Sequence, residues 1–317
     1  MSSTAVTNNS ACGQFAGMLN MCASETQRQV VDTSHINVNI GSLKNNQALF
    51  GQWLVGLVDG DGTFSITQNK HNQSWQFTFK ISLHVKDKPL LALIKQKLGC
   101  GSVTHAGNNN WQYRVRDRAH LLNVIVPIFL QYPLHTRKIY HFELFHKALL
   151  DPSRCAELKS LWHDQSSLDG ALERQVQAMQ FRKPTKAWVI GFIEAEGSFY
   201  VTKRHKDVSL LFPTGEYCHG FGVTQKRDKH ILDFLCNVLG IVAKARYNKS
   251  NTSWVLDTTN KRSIVNIANY FSDTILGSKH LEYFLWQKAL FNENQRKDMF
   301  FMQELQSKLR SLRKEID

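Results

Sequence analysis

A chain of 317 residues with 42% hydrophobic residues can bury a substantial core, in two ordinary domains or one large one. Its 39 Lys and Arg against 26 Asp and Glu leave a net charge of +13, which favours a polyanionic partner, nucleic acid ahead of an anionic membrane. No apolar run approaches the roughly 20 residues of a membrane span. The cysteines Cys12, Cys22, Cys100, Cys155, Cys218 and Cys236 form no CxxC pair, zinc spacing or disulfide framework, which fits a reducing compartment.

Residues 1–46 are rich in Ser, Thr, Asn and Gln, with Arg28 and Lys44 as their basic residues. That composition is expected of an irregular extension and makes a poor signal or transit peptide. "WLVGLVDGDGTFSI" (53–66) follows, an apolar stretch that ends in two carboxylates and passes into period-two alternation at Phe64 and Ile66, the mark of a strand. Phe77, Phe79 and Ile81 predict a second strand. "KDKPLLALIKQKLG" predicts an amphipathic helix stopped by Gly99, and Trp111, Tyr113 and Val115 predict a later strand.

The same order then returns. "WVIGFIEAEGSFYV" (188–201) repeats the opening stretch, and "FGVTQKRDKHILDFLCNVLG" and "LEYFLWQKALF" repeat "FKISLHVKDKPLLALIKQKLG" and "HFELFHKALL". The second copy is longer before Gly240, most simply by an insertion in "KRHKDVSLLFPTGEYCHG". The chain therefore divides into an extension (1–46), a first half (47–150), a linker (151–187, broken by "DPSRCAELKS" and "FRKPTK") and a second half (188–317). Each half is expected to run helix, two strands, helix, two strands, helix.

The non-core faces of these strands carry Ser, Thr, Asn, Gln, Lys and Arg with hardly any acid. Amides and guanidinium groups read base edges in a major groove wide enough for a two-stranded ribbon. A nucleic-acid-facing surface is therefore expected from Ser65, Thr67, Asn69, Gln76, Thr78, Lys80, Thr104, Gln112, Arg114 and Arg116 in the first half. Its counterpart in the second half comprises Tyr200, Thr202, Arg204, Lys244 and Arg246.

"DGDG" admits other readings. A hairpin turn fails because the second copy reads "EAEG"; a calcium loop from Asp59 would need glycine where Phe64 stands and a carboxylate where Lys70 stands. A helix explains more: Gly56 and Gly60, like Gly191 and Ala195, leave a smooth face along which another backbone can come close. If the two helices pack side by side, their C-terminal ends meet at Asp61 and Glu196. Two carboxylates added to two negative dipole ends repel one another, an arrangement that suits hard divalent cations. Asp59 and Glu194, two positions earlier, are expected to be structural.

"LVGLVDGDG" and "VIGFIEAEG" resemble the LAGLIDADG motif of the homing endonucleases, in the double-motif single-chain form, and the resemblance runs from residue 47 to the C-terminus. It implies an α+β fold of two pseudo-twofold-related αββαββα halves, packed through the motif helices, whose antiparallel sheets form a saddle on DNA. It implies Mg²⁺, with Mn²⁺ or Ca²⁺ able to occupy the same sites, held by Asp61 and Glu196 with the carbonyls of Gly60 and Ala195. Accessory catalytic residues are implied after the second strand, where Gln225 stands but the first half has Leu83, and near the end of the fourth strand, at Arg118 and Lys261. The activity implied is a double-strand break with 3′ overhangs at a long asymmetric target, by a monomer, in intron homing. A second reading is an RNA maturase that helps a host group I intron splice, with or without cleavage. Encoding by an intron of a mitochondrial or chloroplast genome is implied by the resemblance alone.

Overall fold

Helix α1 (Ile40–Asn45) lies inside the polar segment expected to be irregular, started by an Asn39/Ser42 capping box and anchored by buried Leu43. The computed structural model describes residues 37–204 and 216–314, so most of the extension and the expected insertion lie outside the described residues. Among these, unit one comprises Asp61–Leu134 and Lys138–Gly170; unit two comprises 37–60, His135–Arg137, 171–204 and 216–314.

Unit one is built on a sheet of order β1-β2-β4-β3, all antiparallel: β1 (Gly62–Gln68), β2 (Trp75–His84), β3 (Ser102–His105) and β4 (Asn110–Val115). Helix α3 (Lys88–Leu98) buries Leu90, Leu91, Ile94 and Leu98 and ends at Gly99, whose φ of 67° fits the left-handed cap predicted for it. Phe64 stands at the centre of the core. Its ring lies 5.3 Å from Phe79, 5.1 Å from Phe129 of α4 (Val126–Gln131), and 5.3 and 5.4 Å from Phe142 and Phe145 of α5 (Lys138–Leu150). Losing such a ring costs about 3–5 kcal/mol. The stretch expected as a linker is largely helical, with α6 (Cys155–Ser160) and α7 (Gln165–Phe181), and Trp162 stacks 4.8 Å from His141.

Unit two repeats the plan. Its sheet has the order β5-β6-β8-β7, from β5 (Gly197–Arg204), β6 (Glu216–Gln225), β7 (Arg246–Asn248) and β8 (Ser253–Thr258). Around it stand α9 (Lys229–Val238), α10 (Lys261–Tyr270) and α11 (Lys279–Phe291). Phe199 holds the place of Phe64, with Phe221, Phe271, Tyr283 and Trp286 at 5.4, 5.9, 5.1 and 5.3 Å. After the short α12 (Glu293–Lys297), α13 (Met299–Lys314) covers the open edge of β5: Gln306 Nε2 donates to Val201 O at 2.9 Å and Arg313 to Ser198 Oγ at 2.9 Å. The predicted element order is present in each half, with further helices after each sheet.

Unit two also holds both motif helices, α2 (Gln47–Asp61, as far as Gly60) and α8 (Lys186–Glu196). Both are apolar on all sides and therefore buried, α2 from Leu49 to Asp59 and α8 from Ala187 to Glu194. Their approach is reciprocal. A methyl group built on Gly56 would stand 2.1 Å from Trp188 O, and one on Gly191 would stand 2.0 Å from Trp53 O. Only glycine leaves room for that crossing. No described helix is long and apolar enough to span a membrane.

Candidate functional site

The helix crossing carries through to the C-terminal ends. A methyl group on Gly60 would lie 2.2 Å from Ala195 Cβ and 3.5 Å from Glu196 Oε1. Gly60, Ala195 and the Glu196 carboxylate thus meet in unit two, and Asp61 is the next residue in the chain. Asp61 and Glu196 are both half-buried. The Glu196 carboxylate and the backbone carbonyls near it are hard oxygen donors of the kind that an oxygen-loving divalent cation takes. No cluster of three or more His, Cys, Asp or Glu able to hold a metal occurs among the described residues.

Asp59 and Glu194 face away from those ends and hold backbone. Asp59 accepts from His135 N at 2.8 Å, Thr136 N at 3.1 Å, Thr136 Oγ1 at 2.6 Å and Trp188 Nε1 at 2.8 Å. Glu194 accepts from Gly277 N at 3.2 Å and from Leu276 N. Buried charges compensated in this way are structural, as their place in the motif suggested. His135 is pushed down to about 3, mainly by its burial and also by the charges of His230 and Arg182.

Sheet register fixes which residues of the two halves correspond. Gly62 pairs with Ile81 and Gly197 with Val223, so Leu83 and Gln225 each lie two residues farther on, opposite Trp111 and Trp254. The sequence-predicted accessory position after the second strand is therefore equivalent in the two units, apolar in one and an amide in the other. Beside each stands a lysine that sequence reasoning missed. Lys88 Nζ lies 3.6 Å over the Trp111 ring, and Lys229 Nζ lies 5.3 Å over Trp254 and 2.5 Å from Asp233 Oδ2.

The other two accessory residues, Arg118 and Lys261, stand past the ends of β4 and β8. β4 and β8 run antiparallel to β2 and β6, so from Trp111 and Trp254 they lead away from the strand ends that follow the motif glycines. Arg118 lies past the end of β4 and donates through Nη2 to Leu149 O at 2.7 Å and through Nε at 3.2 Å, anchoring the last turn of α5. Lys261 is the first residue of α10, exposed behind the Asn260 N-cap that accepts from Ser263 N. Asp117 caps the turn at Arg118 in the same way, accepting from His120 N at 2.8 Å. Both pairs are helix starts, with Asp117 and Asn260 as the caps.

A basic group that reaches the second motif is Lys279, the first residue of α11, whose Nζ donates to the carbonyl of Gly197 directly after Glu196. Lys138 holds the equivalent place at the start of α5. The repeat was legible here: "HTRKIYHFELF" and "LGSKHLEYFLW" align lysine with lysine, just before the stretch by which the halves were matched.

On the polar face of unit one, Lys80 and Arg114 are direct partners and neither has an ion pair among the described residues. Gln112 donates to Thr104 Oγ1 at 3.4 Å, Arg116 and Gln76 are exposed, and Ser65 and Thr67 share the face. Two members are less available than expected: Thr78 is 8% exposed, and Asn69 turns into the hairpin to accept from His71 N at 2.9 Å. In unit two Lys244 and Arg246 are exposed, Thr202 is half-buried, and the Arg204 side chain lies outside the described residues. Tyr200 differs most. Its ring lies flat across Gly220, where a methyl group would stand 2.2 Å from Cε2, and its hydroxyl donates to Asp257 Oδ1.

Comparison with known proteins adds to this geometry. The family model described as LAGLIDADG endonuclease matches residues 54–149 and 189–290, one stretch per half. A probable intron-encoded endonuclease, Cox1-I1b of Schizosaccharomyces pombe, is 34% identical over 254 residues, 76% of this chain and 64% of its own length, so the chain spans under two thirds of that relative. The crystal structure of the I-SmaMI LAGLIDADG homing endonuclease bound to cleaved DNA is similar in fold at a TM-score of 0.64 and 24% identity, over 84% of this chain and 96% of its own. That of I-CpaMI bound to uncleaved DNA gives 0.65 and 21%, over 84% and 99%. With both motif repeats matched, each in its own four-stranded antiparallel unit, the chain belongs to the LAGLIDADG endonuclease family.

Proposed function

We propose that the protein is an intron-encoded-type DNA endonuclease that cuts both strands of a long asymmetric duplex target. The observation that carries this reading is the meeting of Gly60, Ala195 and the Glu196 carboxylate at the crossing of the motif helices, with Asp61 adjacent in sequence. A divalent cation, Mg²⁺ in this reading, activates water and relieves charge on the phosphate and the leaving 3′ oxygen when bound. Asp61 and Glu196 would hold it, together with the carbonyls of Gly60 and Ala195.

The chain's other groups act electrostatically. Lys279, hydrogen-bonded to Gly197 O beside Glu196, brings positive charge to the phosphate, and Lys138 has the equivalent task. Lys88 and Lys229, supported on Trp111 and Trp254, neutralise neighbouring phosphates. Gln225 orients water in one unit, a task that Leu83 cannot perform in the other. The acid-poor face with Lys80, Arg114 and Arg116, followed by Thr202 and Arg246 in unit two, reads the duplex.

The protein acts as a monomer, and its similarity to intron-encoded fungal proteins favours a mitochondrial genome as its source. The decisive experiment is cleavage of a selected duplex target by the wild type, Asp61→Asn and Glu196→Gln in Mg²⁺. Both variants should lose double-strand cleavage while still binding the target. Cleavage of both strands at the wild-type rate by either variant would refute the ligand assignment; retention of intron RNA in preference to duplex would favour the maturase reading.

A further inference from the structure

The register equivalence of the two sheets exposes a charge inversion on the polar face. In unit one the row one residue past the motif glycine reads Thr63, Lys80, Arg114; in unit two the same row reads Ser198, Gly222, Asp257. Arg114 and Asp257 therefore occupy equivalent places with opposite charge. An acid on a surface that meets a polyanion repels phosphate, so affinity alone does not account for it.

The surroundings of Asp257 are built to hold its carboxylate still. Glycines at 220 and 222 leave a shallow trough in β6, the Tyr200 ring lies in it, and the phenol donates to Oδ1. Burial and the Asp257 carboxylate both raise the Tyr200 pKa, so the phenol remains a donor. Among the described residues nothing else hydrogen-bonds the Asp257 carboxylate, which leaves its other oxygen free to accept. Arg114 carries no competing hydrogen bond or ion pair among them either.

Resting on the reading of these faces as the duplex-contacting surface, we propose that Arg114 and Asp257 are a charge-inverted pair of base readers. Arg114 selects guanine through its O6 and N7 acceptors, and Asp257 selects cytosine at the equivalent position of the other half-target by accepting from the N4 amino group. Tyr200 is a positioning residue that fixes the carboxylate. The pair makes the two half-targets unlike at equivalent positions, which a duplicated fold would otherwise tend to read alike.

The test is sequencing of duplexes retained by the full chain from a randomised library, for wild type, Asp257→Asn, Tyr200→Phe and Arg114→Gln. The wild type should enrich cytosine at one position. Asp257→Asn, isosteric and still able to accept from Tyr200, should lose that preference about tenfold in favour of adenine and leave neighbouring positions unchanged. Arg114→Gln should shift guanine to adenine at one position in the other half, and Tyr200→Phe should keep cytosine as first choice. An unchanged Asp257→Asn profile, or profiles for Asp257→Asn and Tyr200→Phe that change identically, would overturn the proposal and leave Asp257 as a latch for the tyrosine. Retention without any sequence preference by the wild type would overturn the endonuclease reading as well.

Discussion

The two four-stranded units share register, aromatic centre and helix order, yet equivalent positions differ in kind. Phe64 and Phe199 anchor equivalent cores, one in each unit, and Lys138 and Lys279 open equivalent helices. Leu83 corresponds to Gln225, Arg114 to Asp257, and Phe77 to His219 in register, as the strand pairings establish. What is common is what packing and charge neutralisation require. Most of what differs lies at strand ends and on the polar face, where side chains diverge without disturbing the core, and the Phe77/His219 pair is a difference inside it.

The comparison can be broken most severely where the repeats depend on each other. Gly56→Val would put side-chain carbon at a point 2.1 Å from Trp188 O, where backbone rather than a flexible side chain must move. We expect a loss of about 3 kcal/mol or more and a collapsed melting temperature, measured by thermal unfolding. If the variant melts like the wild type, the reciprocal glycine crossing is not what holds α2 against α8.

The next effect is catalytic. Lys279→Met removes the cation hydrogen-bonded to Gly197 O and should slow nicking of one strand by about a hundredfold, with Lys138→Met slowing the other. Strand-resolved kinetics on a nicked-circle assay would show it; equal slowing of both strands by each variant would refute the one-lysine-per-strand assignment. A smaller change should follow at the third pair. Gln225→Leu should make unit two resemble unit one and slow its strand about tenfold, and Leu83→Gln should bring the two nicking rates closer together.

The smallest effect concerns pH. His219 is 4% exposed with Nε2 unpartnered, and burial, with some help from Arg296, pushes it down to about 4. The unfolded chain binds a proton near pH 6.5 whereas the folded one does not, so stability is full above that pH and falls as pH drops towards 4. At pH 5.5 the loss from this group should be about 1 kcal/mol. His219→Phe, which copies Phe77 of unit one, should flatten that part of the melting-temperature profile and change nothing at pH 8.

Much of this was legible in the chain. Period-two alternation marked the strands, Gly99 marked the end of α3, and the duplicated acidic motif marked the crossing helices, because each depends on local backbone chemistry. Arg118 and Lys261 follow a local signal too: "DR" and "NK" are capping pairs, each starting a helix at the end of a strand that runs away from the motif glycine. Tyr200 reads in the sequence as a surface contact, whereas in the fold Gly220 and Asp257 hold it.

By itself the sequence determined the family, the repeat, the paired motif helices and the acidic residues at their ends, since those rest on spacing and composition. Only the tertiary structure decided which basic groups stand beside them. Antiparallel pairing sends β4 and β8 away from the motif glycines while the chain returns through α11 to set Lys279 against Gly197, and no local pattern encodes that return.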